Sequence, residues 1–277
     1  MNWSEKTAVI TGAGGVLLGA FAIELAKKGA KVAALDKNLE HVQKTVDTIV
    51  GSGGTAKAYA CDVLDKASLQ AAEKQIFEDF GNYHILINGA GGNMDKANTT
   101  SEFFDETELG NPNARSFFDL DVPEIQKVFE LNFLGTLLTT QVFARRMLGL
   151  QGATVINMSS MSAFSPMTKV LGYSAAKAAI NNLTEWLAVH FANKNLRVNA
   201  IAPGFFVTKQ NQNLLKGPDG SLTPRSHKII ANTPMGRFGE VKDLFGTFFW
   251  LCDEEASGFV SGAVIPVDGA FNAYSGV

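Results

Sequence analysis

The chain has 277 residues, 46% hydrophobic and 18% charged, with 27 Gly and only 8 Pro, which is enough for one large core and excludes a disordered or low-complexity array. Its 24 Lys and Arg stand against 27 Asp and Glu, a formal charge of −3, so no basic excess suggests nucleic acid or an anionic membrane surface as partner. Cys61 and Cys252 form no CxxC pair and the four histidines, His41, His84, His190 and His227, show no ligand spacing; neither a disulfide framework nor a metal site is expected, and a reducing, cytoplasmic setting is.

From the N-terminus, Met1-Asn-Trp-Ser-Glu-Lys6 offers no apolar signal segment, and no export or membrane span is expected. A first strand, Thr7 to Thr11, runs into Thr11-Gly-Ala-Gly-Gly-Val-Leu-Leu-Gly19 and then a helix, Ala20 to Lys28. A glycine-rich turn between strand and helix lets the backbone approach a pyrophosphate, whose charge the helix N–H groups and dipole then hold. Gly12, Gly14, Gly15, Val16 and Leu17 are the candidates for that contact. The second strand, Lys31 to Leu35, is followed by Asp36, 24 residues after Gly12. A carboxylate there accepts from the adenosine ribose diol and repels a 2′-phosphate, which favours NAD over NADP, with Lys37 beside it pulling the other way.

Further along, strands over Ala56 to Ala60, His84 to Asn88, Thr154 to Asn157, Arg197 to Ile201 and Ala263 to Val267 alternate with helical patterns. The helices are read over Leu39 to Val50, Ser68 to Phe80, Val122 to Leu148, Ala175 to Ala192 and Lys242 to Leu251. Such alternation predicts βαβ units in a single α/β domain, a doubly wound parallel sheet with helices on both faces and its ligand at the carboxyl ends of the strands. Two segments, Asn93 to Asp121 and Phe205 to Thr233, are too long for ordinary connections and follow predicted strands, so both are expected to be lids over the ligand crevice.

Tyr173-Ser-Ala-Ala-Lys177 puts a phenol and an ammonium four apart on one helix face, an arrangement expected to lower the phenol pKa toward that of a general acid or base. Ser159-Ser160 lies upstream at a strand end, on a different loop able to converge on the same substrate oxygen.

Taken together these motifs resemble the short-chain dehydrogenase/reductase family over essentially the whole chain. The resemblance implies a Rossmann-type domain, with Asn132, Ser160, Tyr173 and Lys177 as catalytic tetrad and Asn132 holding a relay water. It places Asp62 and Val63 at the adenine, and Tyr173 and Lys177 at the cofactor as well as at the chemistry. Asn88 and Ala90, in Asn88-Gly-Ala-Gly91, belong to a sheet element beneath the cofactor, and Phe206 and Thr208, after Pro203-Gly204, to the segment closing over the nicotinamide. Four positions depart from the family pattern: Val16 and Leu18 stand where its second and third glycines belong, Gly89 where it has a second asparagine, and Ala270 where it has glycine. Within the family, the turn, Gly91-Gly-Asn93, Thr233-Pro-Met-Gly-Arg-Phe-Gly239 and the ending Ala273-Tyr-Ser-Gly-Val277 are similar to the branch of D-mannonate oxidoreductases, or fructuronate reductases.

That branch implies hydride transfer between NAD(H) and a carbonyl or alcohol of a sugar acid, and the family implies a homotetramer. For the substrate, Asn93, Ser160, Ser162, Lys169 and Tyr173 are the candidates. Arg115, Arg225 and His227 are further side chains that could face a carboxylate, and Arg237 is discounted. Another polyol or sugar acid such as gluconate remains open, as do a hydroxysteroid, an acyl-carrier thioester and a dinucleotide-sensing protein without catalysis. The polar, acid-bearing segment from Asn93 to Asp121 suits a hydroxylated substrate better than a steroid.

Overall fold

A computed structural model describes residues 1–207, 215 and 217–276. Seven strands form one parallel sheet: β1 Thr7–Thr11, β2 Lys31–Asp36, β3 Thr55–Ala60, β4 Ile85–Asn88, β5 Ala153–Met158, β6 Leu196–Pro203 and β7 Val264–Val267. Their order is β3-β2-β1-β4-β5-β6-β7, the doubly wound arrangement the alternation predicted. Strand order reverses between β1 and β4, which opens a crevice at their carboxyl ends.

The strand side chains alternate between two apolar layers, as a period of two requires. Ala8 and Ile10 of β1 pack with Phe21, Leu25 and Phe248 on one face. Val9 packs with Leu69, Phe143 and Leu187 on the other. All five residues of β1 are buried, which explains why it reads as a continuous apolar run rather than as an alternating one.

The helices are α1 Val16–Lys27, α2 Leu39–Gly51, α3 Lys66–Phe80, α4 Val122–Phe129, α5 Gly135–Met147, α6 Leu171–Phe191, α7 Pro224–Ala231, α8 Val241–Cys252 and the short α9 Glu254–Ser257. Three depart from expectation. Helix α1 begins at Val16, because Gly15 is already the extended N-cap; the glycines hide the first helical turn from a pattern based on apolar spacing. The stretch expected as one helix from Val122 to Leu148 is broken by a π turn, Glu130–Leu134, between α4 and α5. Helix α7 lies inside the segment expected to be irregular, capped by Thr223 with Pro224 in its first turn.

The segment 93–121 has short 3-10 turns at Asp95–Ala97, Glu106–Glu108 and Phe117–Asp119. It ties itself together: Arg115 Nη1 donates to the carbonyls of Asp95 and Asn98 at 2.8 and 3.0 Å, and the Ser116 hydroxyl donates to Asp119 at 2.6 Å.

Candidate active site

The glycine turn meets the loop after β4. Gly12 has φ +71°, and a Cβ there would lie 3.0 Å from Ala90 N, so a left-handed backbone and a close approach both demand glycine. Gly14 is as crowded, since its Cβ would meet His41 Cβ at 2.8 Å and Asp36 Oδ2 at 2.9 Å. Gly15 caps α1 without a side-chain hydrogen bond, leaving the start of the helix to an anion. Two of the departures from the family pattern, Leu18 and Gly89, complement each other. A Cβ on Gly89 would sit 2.3 Å from Leu18 Cγ, so the Leu18 side chain fills the space that a larger residue 89 would need. Gly19 takes the close packing against the turn, its Cβ position lying 3.0 Å from Ala13 O.

Asp36 accepts from Gly14 N at 3.1 Å through Oδ2 and from Asn38 N at 3.0 Å through Oδ1. Each carboxylate oxygen keeps a second lone pair for a ribose hydroxyl. Lys37 is paired with Asp62 Oδ2 at 2.7 Å, which binds it away from Asp36 and holds the Asp62 carboxyl below its ordinary pKa. Val63 is buried and packs against Gly135 at the start of α5. These residues fit an NAD-type dinucleotide: a turn packed closely through its glycines, a helix start with no side-chain cap, and an acceptor for the ribose.

Asn132, Lys177 and the loop after β4 converge on Gly91, where a Cβ would lie 2.7 Å from Asn132 Oδ1 and 3.4 Å from Lys177 Nζ. Asn132 sits in the π turn, a register shift that helices often use at functional sites. Its Nδ2 donates to Gly92 O at 2.7 Å and Val128 O at 2.8 Å, and its Oδ1 accepts from Gly92 N at 3.2 Å. The side chain therefore pins this loop to the helix.

Lys177 is buried and donates to Met158 O at 2.8 Å; burial lowers its ammonium to about 8. Partly buried Tyr173 has its phenol pushed above the ordinary value by burial, while a hydrogen bond with Ser160 works against that rise. Lys177 Nζ lies 5.6 Å from the Tyr173 ring centroid. The spacing of four thus brings the pair together as expected, but the expected lowering of the phenol does not follow, because burial outweighs it, and the lysine's hydrogen bond goes to the Met158 carbonyl. The Ser162 hydroxyl donates to Ser160 Oγ at 3.0 Å, and the Ser162 N–H reaches it at 3.2 Å.

Beneath these groups runs a buried polar network that sequence reasoning missed. Thr136 Oγ1 donates to Asn132 O and Thr140 Oγ1 to Thr136 O, at 2.9 and 2.8 Å. Asn88 Nδ2 donates to Thr140 Oγ1 at 2.9 Å and to Asn157 Oδ1 at 2.8 Å, and Asn157 in turn donates to Thr184 at 2.9 Å. Asn88 is thus a support among β4, β5, α5 and α6, its amide nitrogen spent on its neighbours and its Oδ1 buried without a hydrogen-bond partner among the described residues. Threonines four apart in α5 were the available signal, since such hydroxyls bond back along the helix.

Among the other candidates, Asn93 is exposed and donates to Asn98 Oδ1 at 3.0 Å, and Arg115 serves its own loop. Lys169, with φ +73°, donates to Thr100 O at 2.6 Å. It lines a cavity of about 340 Å3 together with Ser162, Thr99 and Phe117. Phe206 is buried and packs its ring on Gly239, while Thr208 lies outside the described residues.

The short chain dehydrogenase family model matches residues 6–219. An uncharacterized oxidoreductase of Bacillus subtilis (strain 168), UxuB, is 56% identical over 276 residues, covering 100% of this chain and 98% of that one. A crystal structure from Haemophilus influenza with bound NAD, provisionally described as a D-mannonate oxidoreductase, is 53% identical with a TM-score of 0.95, covering 99% of this chain and 97% of the other. The 7alpha-hydroxysteroid dehydrogenase of Escherichia coli (strain K12) is 30% identical over 265 residues, 95% of this chain and 93% of the relative. A glycine turn closed by Asp36, a Ser160–Tyr173–Lys177 cluster, Asn132 holding the loop after β4 and these matches lead to one conclusion: the chain belongs to the short-chain dehydrogenase family.

Proposed function

We propose that the protein is an NAD(H)-dependent oxidoreductase that interconverts an alcohol and a ketone of a six-carbon sugar acid, D-mannonate and D-fructuronate. The observation that carries the reading is the convergence of Ser160, Tyr173, Lys177 and Asn132 beside a turn whose acceptor is Asp36. The bound nicotinamide supplies or takes the hydride.

The chain's own residues manage position and protons. Ser160, oriented by Ser162, holds the substrate oxygen, and Tyr173 Oη gives that oxygen a proton during ketone reduction or takes one during alcohol oxidation. Lys177 is at hand for the ribose of the cofactor, and Asn132 fixes the loop after β4 and supports a water relay to solvent. Asn93, Ser162 and Lys169 face the substrate. The segments 93–121 and 205–233 close over it as lids on one domain.

The protein works in the cytoplasm as a homotetramer, with no nucleic-acid or membrane partner. Two observations agree with this setting: Cys61 and Cys252 are free and buried, and none of the described helices is long and apolar enough to cross a membrane.

The test is NADH oxidation by purified protein with D-fructuronate, beside 5-ketogluconate and a blank. Turnover with D-fructuronate is expected, and Tyr173→Phe should lose about 10²–10⁴-fold of it with NADH binding kept. Turnover only with another ketone discards the sugar-acid assignment, and a Tyr173→Phe variant near wild-type rate discards the proton role.

A further inference from the structure

Two excursions that precede and follow the reaction loop in sequence meet at a single charge cluster. Glu102, in the first, forms an ion pair with Lys228 on α7 of the second. Arg225 stands three residues before Lys228 and therefore on the same helical face. Lys169, between Ser160 and Tyr173, reaches the same strip of chain: its Nζ donates to Thr100 O at 2.6 Å and its carbonyl accepts from Thr99 N at 3.1 Å. The hydrogen bond from Lys228 holds the Glu102 carboxyl below its ordinary pKa against the opposing effect of burial, and the charges of Lys228, Lys169 and Arg225 add to that lowering. One carboxylate is thus paired with Lys228 and lies in the field of two further cations, in a chain whose net charge is −3.

Lys169 links this cluster to the reaction centre. Lys169 and Ser162 line one cavity, and Ser162 donates to Ser160. The Lys169 backbone is left-handed at φ +73°, a conformation that costs a non-glycine residue about 1 kcal/mol or more and persists only where its surroundings enforce it. Arg115 of the first excursion donates to the Asp95 and Asn98 carbonyls, and Arg237 pairs with Asp243 at 2.6 Å.

We propose that Lys169, Arg225 and Lys228 form a seat for the carboxylate of an anionic substrate, and that Glu102 is an internal stand-in which that carboxylate displaces. The proposal rests on the sugar-acid reading and extends it by naming both the recognising cations and their competitor. Displacement is cheap, because the Lys228 and Glu102 side chains are 57% and 29% exposed and such pairs contribute about 1 kcal/mol or less. A pair that only latches the two excursions together makes the opposite prediction for Glu102, and this separates the two roles.

The experiment compares Glu102→Gln, Lys228→Met and Lys169→Met with wild type, using KM for D-fructuronate, turnover of D-fructose as the uncharged ketone, and calorimetric binding of D-gluconate to the NADH complex. In the seat, loss of a cation raises KM for the anion about 10–100-fold, the worth of one charge-assisted hydrogen bond. Glu102→Gln leaves D-fructose turnover unmoved and lowers KM for the anion about 2–5-fold. Equal weakening by Glu102→Gln and Lys228→Met marks a latch and overturns the seat, as does an unchanged KM in both lysine variants. If wild type does not turn over D-fructuronate, the substrate reading fails by itself. D-Gluconate binding that tightens in Glu102→Gln and weakens in Lys228→Met still establishes the seat. D-Gluconate binding that is absent, or indifferent to all three substitutions, overturns it.

Discussion

Lys177 shows how burial sets the character of a single side chain. Its ammonium is enclosed with one carbonyl partner, and its pKa falls to about 8, whereas an unfolded lysine titrates near ~10.4. Between those values the unfolded chain binds the extra proton, so this residue makes the unfolding free energy rise with pH from about 8 to about 10.4. In the cofactor-free protein, the urea midpoint of wild type should therefore climb relative to that of Lys177→Met across this interval. Parallel curves for the two proteins rule out a neutralised lysine at this site. The same burial, acting on a phenol, raises Tyr173, because desolvation disfavours whichever form is charged. The reading of residues four apart as a mutually activating pair thus captured their proximity and missed the carbonyl that takes the ammonium.

At the scale of elements, α1 and the loop after β4 have exchanged bulk. Leu18 stands where the family has glycine, Gly89 where it has asparagine, and the leucine side chain occupies the space above Gly89. Leu18→Gly should cost several kcal/mol, from a lost buried side chain and a glycine in a helix. Gly89→Asn should cost about 1–3 kcal/mol by overpacking. The double variant should be more stable than the sum of the two losses predicts, with a coupling of at least ~1 kcal/mol in a urea-unfolding cycle; strict additivity discards the compensation. The π turn is the other element-scale feature. It shifts the register of the α4–α5 segment at Asn132, whose amide reaches Gly92 and Val128, and apolar periodicity does not record such a shift because the flanking helices keep their buried faces.

For the whole molecule, α6 presents Leu171, Trp186 and Val189 to solvent at 48%, 58% and 80% exposure, an outward face apolar enough for association. Sedimentation equilibrium should give four times the chain mass of 29.7 kDa, and Trp186→Glu should lower it; a wild-type monomer discards the tetramer. The alternating runs by themselves determined the seven strands, most of the helices and the parallel doubly wound sheet, since hydrophobic period and turn residues are local properties of the chain. Short motifs of fixed spacing supplied the candidate site residues, from the glycine turn and Asp36 to Ser160, Tyr173 and Lys177. Tertiary structure decided what depends on residues distant in sequence. It turned the Lys177 ammonium to Met158, bound Lys37 to Asp62, placed Leu18 over Gly89, linked Asn88 to Thr140 and Asn157, and set Glu102 against Lys228 across 126 positions. Contacts of this kind arise only when packing removes side chains from water and forces each buried or crowded polar group to find a partner.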